Sequence, residues 1–282
     1  MKKTLICNGC SFMAGDELVW EQYNKEQGKE ARSWNIKFKN GMPTDTDTHN
    51  YRMRYIKYRG NYNLAAQLSN LLNCERIDLS SDGKSNQAIA IETIAFLDTL
   101  PKEERKNYHA IIGWTCLSRV LKYSKSTKQF VDLTVGHYDE SAADPTRAEL
   151  KEHIKVRIID SDDEDYILDY ISNVMMLENY LIANDMTYTF YRGLDDLITD
   201  FQTIGPFSWN SNYKINVKTC TNHDNWLKFK DNSTTPINDV GWTYLLKNID
   251  GWVTPINRHP SLYAVIELAE KIAGFIKTKN VY

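Results

Sequence analysis

The sequence predicts a three-layer α/β/α fold around a mostly parallel central sheet, and three observations lead to it. Short apolar runs suited to buried strands alternate with segments whose apolar residues recur at helical spacing. The two patterns interleave along the chain instead of separating into a strand half and a helix half, as βαβ units require. At 282 residues with 42% hydrophobic residues, the chain can build one elaborated core. The expected organisation is a single domain over residues 1–282.

Thr4-Leu5-Ile6-Cys7 is the first candidate strand, and Asn8-Gly9 after it favours a turn. Leu64, Ala65, Leu68, Leu71 and Leu72 then share one helical face. Residues 75–79 form a second candidate strand, followed by a helix carrying Ile89, Thr93, Ile94 and Leu97. Residues 109–114 are a third strand and 186–191 a fourth. Between these two lies a longer amphipathic helix marked by Ile167, Leu168, Ile171, Val174, Met175 and Leu181. The last helix has the clearest stripe, Leu262, Val265, Ile266, Ala269, Ile272, Ala273 and Ile276, with Pro260 placed to serve as its first residue. Residues 16–59, 120–163 and 200–255 are polar, aromatic-rich and without sustained periodicity. Loops at the carboxyl ends of parallel strands are free to lengthen, so these three segments read as insertions near a ligand crevice.

Composition narrows the function. A net charge of −3 argues against nucleic acid as the principal partner and against a membrane surface. No apolar run approaches the roughly 18 residues of a membrane span. After Lys2-Lys3 the apolar stretch is only Leu5-Ile6-Cys7, too short for a signal peptide, so a cytoplasmic location is expected. Five cysteines, three of them isolated (Cys74, Cys116 and Cys220), read as reduced thiols. The carboxylate run at residues 160–165 lacks the Gly at position six and the Glu at position twelve of a calcium loop, which are Asp165 and Ile171 here. It reads as the solvated first turn of the helix that follows, where negative charge is favourable. Neither a metal nor an organic cofactor is expected.

Two features near the amino end compete for the chemistry. Cys7-Asn8-Gly9-Cys10 has redox spacing, but Cys7 falls inside a strand where a thiol is buried and inert, and no second pair completes a zinc set. The alternative is Ser11 in Gly9-Cys10-Ser11-Phe12-Met13-Ala14-Gly15, directly after strand one. His259 precedes the last helix in Asn257-Arg258-His259-Pro260-Ser261. A serine attacks only when a base takes its proton, and histidine is the usual base near neutrality. In a parallel α/β sheet both residues fall on loops flanking the sheet.

These blocks resemble the SGNH (GDSL-type) hydrolases, particularly divergent members encoded in bacteriophage genomes. The resemblance implies that Ser11 is the nucleophile, with Cys10 where the family usually has Asp. It implies that Gly83, in Ser81-Asp82-Gly83-Lys84-Ser85-Asn86, lends a backbone N–H to the oxyanion hole together with that of Ser11. The family's third block has an Asn whose amide completes the hole; here the run is Gly113-Trp114-Thr115-Cys116, and Thr115, Asn86 or water is left to substitute. His259 matches the base, while the usual Asp three residues before it is Ile256. The implied activity is hydrolysis of an acyl ester by a Ser11–His259 dyad, on a small acyl ester or acylated glycan. The rival expectation is a non-catalytic binding or virion-associated structural protein that keeps the fold, favoured by Thr115 and Ile256.

Residues 51–62 interleave Arg and Lys with Tyr, a combination that holds sugars, bases or phosphates when it faces a ligand. Arg52, Arg54 and Tyr55 are accordingly candidate substrate contacts at the crevice. The same pattern also suits an edge segment whose cations extend over packed rings.

Overall fold

The computed structural model describes residues 3–15, 18–26, 38–39, 42–43, 46–133, 150–151, 153–155, 163–193, 203–204, 214–216, 219–229 and 260–279. The elements run β1 (Thr4–Gly9), α1 (Ser11–Ala14), α2 (Trp20–Glu26), β2 (Phe38–Lys39), β3 (Met42–Pro43), α3 (Thr46–Arg59), α4 (Leu64–Leu72), β4 (Arg76–Asp78), α5 (Asn86–Asp98) and α6 (Lys102–Arg105). They continue β5 (Tyr108–Trp114), β6 (Val120–Ser124), β7 (Gln129–Leu133), α7 (Asp163–Ala183), β8 (Thr187–Arg192), β9 (Thr203–Ile204), β10 (Ile215–Asn216) and α8 (Leu262–Thr278).

The central sheet has the order β4-β1-β5-β8 with every pairing parallel. Trp226 bridges Phe190 in the same sense, and Leu227 N–H donates to the Phe190 carbonyl at 2.9 Å, so the sheet continues past β8. This is the flavodoxin-like arrangement, in which the first strand is central and the chain reverses direction between β1 and β5. Successive strand residues point to opposite faces, and each face is covered. Ile6, Ala110, Ile112, Trp114, Tyr188 and Phe190 pack against α5 and α7. Leu5, Cys7, Ile111 and Tyr191 pack against α4 and α8. The fold is thus three-layered and mostly parallel. Its strands are buried on both sides, which is why they read as continuous apolar runs.

Packing outweighs capping in holding these helices. In α8, Val265, Leu268, Ile272 and Ile276 are fully buried, together worth roughly 6–12 kcal/mol of transfer free energy. The Ser261 cap, whose Oγ accepts from Ala264 N–H at 3.2 Å, adds about 1 kcal/mol. Leu262 and not Pro260 is the first helical residue, with Ser261 as the cap; Pro260 sits one residue before the cap, buried in an isolated bridge. Asn8 and Gly9 likewise do not make the predicted turn. They are the last two residues of β1, paired with Ile112 and Gly113, and the chain turns at Cys10. All three segments expected to be irregular contain regular structure, the last of them the short antiparallel pair β9–β10. Residues 46–59 form helix α3, and β6 and β7 form an antiparallel hairpin that packs Val120, Val131 and Leu133 against Leu150 and Ile154. Asp163 opens α7, and Glu164 and Asp165 in its first turn are exposed, while residues 160–162 lie outside the described residues. No described helix is long and apolar enough to cross a membrane.

His109 on β5 is buried, its ring nitrogens at 2.9 Å from Thr187 Oγ1 and 3.0 Å from Thr189 Oγ1. Burial, with Lys3 nearby, lowers its pKa from 6.5 to about 3. The unfolded chain therefore binds a proton that the folded chain refuses between these limits. Stability is complete above pH 6.5 and is lost as pH falls, by about 1.4 kcal/mol per unit from this residue. Chemical denaturation from pH 7 to 5 should show that slope, and His109→Gln should flatten it.

Candidate active site

Ser11 stands where the doubly wound topology opens its crevice, at the carboxyl end of β1 beside the carboxyl end of β5. Cys10 is extended (φ −85°, ψ −166°) and Ser11 begins the four-residue α1, which ends at Gly15 in the left-handed region (φ 75°). The geometry requires glycine at position 9. A Cβ there would lie 2.9 Å from Met13 Sδ and 3.0 Å from the Gly113 carbonyl oxygen, blocking the return of α1 over the strand ends. Ser11 itself is 5% exposed.

Below this turn lies a buried polar network. Asn8 Oδ1 accepts from Gly9 N–H at 2.9 Å and from Lys84 Nζ at 2.9 Å; its Nδ2 donates to the Ile89 carbonyl at 3.1 Å and to Thr93 Oγ1 at 3.0 Å. Lys84, 3% exposed, also donates to the Leu79 carbonyl and pairs with Glu92. One ammonium thus joins the end of β1, the loop after β4 and helix α5. Gly83, next to Lys84, has φ 79° and nothing within 4 Å of the space a Cβ would fill, so the loop backbone is open on that side. The loop is fastened from outside by Arg59 Nη2, which donates to both oxygens of Asp82 at 3.0 and 3.1 Å.

Asn86 does not extend its amide toward the Ser11 turn. Its Oδ1 accepts from Thr115 N–H at 2.8 Å and its Nδ2 donates to the Thr115 and Cys116 carbonyls at 3.2 Å, clamping the backbone after β5. Thr115 is fully buried, and its Oγ1 accepts from Arg119 Nη1 at 3.1 Å. Arg119 also donates to the Lys84 carbonyl at 3.3 Å and faces the Cys10 and Cys116 thiols. Burial opposes its charge, but those thiols and Asp132 outweigh it and keep the guanidinium pKa above its ordinary range. Asp132, on β7, accepts from Ser85 N–H at 2.9 Å; burial raises its pKa, and the Ser85 bond partly offsets the rise. Arg119, Lys84, Asn8 and Asp132 were not singled out from sequence. A lysine or arginine in a loop ordinarily reads as solvated, and the long-range partners that bury these two leave no local pattern.

Gly83, Asn86 and Thr115 therefore gather with Ser11 at one end of the sheet. His259, with Ile256 and Asn257, lies outside the described residues, as does the side chain of Arg52. Arg54 is exposed on α3. Tyr55 is fully buried: its hydroxyl donates to the Leu18 carbonyl at 2.7 Å and its ring packs 5.5 Å from that of Tyr23. Tyr55 is thus a packing residue of α3 instead of a ligand contact, and among the described side chains of that segment Arg59 is the cation that reaches the crevice loop.

The thiols carry no redox pair. Cys7 is fully buried, with its pKa pushed well up by burial and then by Asp78, and Cys10 is 2% exposed. Both are free. Thiol titration of the native protein should leave both unreacted on the timescale that labels the half-buried Cys74, Cys116 and Cys220; a reversible Cys7–Cys10 disulfide would contradict the packing. Beside Arg119 lies a cleft of about 220 Å³ whose lining includes Asn86, Gln87, Asp169, Ser172 and Asn173. A larger cavity of about 580 Å³ sits at the opposite, amino end of the strands, lined by Lys3, Thr4 and Asn73, away from Ser11. Family models, curated proteins and solved structures were all compared with the chain, and none matches it.

Proposed function

We propose that the protein is a serine acyl-ester hydrolase of the SGNH type, acting on a small acyl group carried by a carbohydrate. The observation that carries this reading is the position of Ser11, first in a helix directly after the central strand. It stands at the switch point where the Gly83 loop and Thr115 also converge. Ser11 Oγ attacks the acyl carbon while His259 takes its proton. The carbonyl oxygen gathers the negative charge and accepts from the N–H groups of Ser11 and Gly83. Collapse breaks the acyl C–O bond and expels the sugar oxygen, which takes the proton from His259 to leave as a hydroxyl, and water repeats the sequence on the acyl-serine. The cleft beside Arg119 sets Gln87, Asp169, Ser172 and Asn173 beside Leu117, Val120 and Tyr170, a mixed polar and aromatic wall that suits a sugar.

A fluorophosphonate probe tests the nucleophile: label on the peptide bearing Ser11, together with turnover of aryl acetates or acetylated sugars that rises through about pH 6.5, is the expected result. A second reading, a binding or virion structural protein that keeps this fold without turnover, is favoured by the 5% exposure of Ser11 and by Thr115 and Ile256 in place of the family's Asn and Asp. Folded protein with neither label nor turnover would remove the hydrolase reading and favour the second.

A further inference from the structure

The β6–β7 hairpin carries large side chains that neither the core nor the Ser11 turn uses. Residues opposite each other in an antiparallel pair share a face, so the register divides the hairpin in two. Val120, Val131 and Leu133 lie on the inner face and pack against Leu150 and Ile154. The outer face carries the pairs Leu121–Asp132 and Tyr123–Phe130. Asp132 fastens this face to the crevice by accepting from Ser85 N–H, at the cap of α5, at 2.9 Å. Arg119, directly before β6, lines the cleft with Asn86 and Gln87. One step of alternation, about 7 Å, leads outward from Asp132 to the aromatic pair. Tyr123 is 51% exposed and Phe130 68%, with ring centroids 5.4 Å apart and planes inclined at 69°. The inner face already holds the hairpin to the body, and two contiguous rings left in water, unlike a lone apolar residue, mark a contact surface.

The charge around the rings says what that contact is. Residues 119–133 hold Arg119, Lys122, Lys125 and Lys128 against one carboxylate, Asp132, in a chain whose net charge is −3. All three lysines are exposed. The hairpin is therefore basic on an acidic molecule and draws an anion. Lysines supply point charges without the fork geometry of arginine, which matches single carboxylates spaced along a chain of sugars. Aromatic faces receive the C–H face of a sugar ring, and rings at 69° cannot sandwich a flat base, whereas a puckered pyranose can rest on both. Resting on the reading that the protein removes an acyl group from a carbohydrate, we propose that the outer face of the hairpin is the docking surface for the substrate's chain, a uronic-acid polysaccharide. Its sugars lie over Tyr123 and Phe130 while an acylated residue occupies the cleft at Arg119. The enzyme thus works on a polymer, and the hairpin, which touches no reacting atom, acts on KM.

The test is calorimetric titration of the full chain with polygalacturonate and with alginate, dextran serving as the uncharged control. A uronate polymer should bind, more weakly as salt is added, and dextran should not. Tyr123→Thr with Phe130→Thr, and Lys122→Glu with Lys128→Glu, should each weaken binding about tenfold or more. Threonine suits a strand, so matching thermal midpoints will show the hairpin intact, and Tyr123→Phe, which keeps the ring, should bind as the wild type does. On O-acetylated polygalacturonate both double variants should raise KM with kcat unchanged, while p-nitrophenyl acetate, too small to reach the hairpin, should be hydrolysed at the wild-type rate. Absence of uronate binding, or binding indifferent to both double variants, would overturn the docking surface and leave the hydrolase reading standing wherever the aryl ester is turned over. Oligothymidylate bound more tightly than either uronate, and lost in the same variants, would overturn it in favour of nucleic acid. Variant-sensitive uronate binding by protein that turns over neither ester would support the docking surface and remove the hydrolase reading alone.

Discussion

Ser11→Ala is expected to reduce ester turnover by a factor on the order of 10⁴ or more while leaving the protein folded. The hydroxyl supplies the attacking atom, and no side chain beside it can substitute: Asn8 and Lys84 are committed to each other, and Cys10 points to Arg119. Alanine is well tolerated at a helical position, and only one oxygen is removed. His259→Ala should cost a comparable factor, since a nucleophile and its base lose most of their effect when either is missing. Ile256→Ala should cost far less, because residue 256 offers the ring at most a backbone carbonyl. Progress curves with aryl acetate and acetylated sugars measure all three. Undiminished activity in Ser11→Ala would end the mechanism.

The largest expected effect on stability is at Gly113, beneath the same turn. A Cβ at this position of β5 would come within 2.7 Å of Tyr191 Cζ and closer still to its hydroxyl oxygen, from the neighbouring strand β8. Tyr191 is 1% exposed and packed among Leu5, Cys7 and Ile111 and helices α4 and α8, so its ring cannot swing aside. Gly113→Ala should destabilise by about 3 kcal/mol or more. That corresponds to a fall of about 6–12 °C in Tm for a chain of this size. Tyr191→Phe removes the nearest atom, so the double variant should recover part of the loss. Simple addition of the two single effects would show that the ring is not the obstruction.

The parts of the fold legible in the sequence are those whose signal is local and apolar. β1, β5 and β8 are buried on both faces, and a short apolar or aromatic core in each, Leu5-Ile6-Cys7, Ala110-Ile111-Ile112 and the aromatics of residues 188–191, makes the run stand out. α4 and α8 each expose one face and bury the other, and their stripes are correspondingly clear. α3 was missed because Arg, Lys and Tyr occupy its length and its burial is confined to residues such as Tyr55 and Arg59. The hairpin β6–β7 was missed because Tyr123 and Phe130, which face solvent, are as apolar as its packed residues, so the alternation that marks a half-buried strand is weak. At the site, Ser11, Gly83, Asn86 and Thr115 were found through a pattern of blocks. The pattern did not reveal that Asn86 spends its amide on the Thr115 and Cys116 backbone, or that Arg119 stands between Thr115 and Cys10. Those facts depend on which side chains meet after the strands align.

The hydrogen bond from Ser85 to Asp132 also bears on the order in which the molecule assembles. Ser85 caps α5 through its own Oγ, accepting from Ala88 N–H at 3.2 Å, yet its N–H finds its acceptor 47 residues away on β7. In an ordinary capping box a glutamate three residues along the helix serves that role; here the helix borrows it from the hairpin. Closing a loop of that length costs at least about 3 kcal/mol, more than or comparable to the 1.5–3 kcal/mol that a hydrogen bond to a charged group returns. The first turn of α5 must therefore settle after β5 and the hairpin have come together, however early the rest of the helix forms. In the folded protein the same dependence makes that turn the place where α5 opens when the hairpin lifts. Asn86 is in that turn, so each lifting also releases the backbone at Thr115. Amide exchange at Ala88 and Thr115 should rise together in Asp132→Asn, with the remainder of α5 still protected.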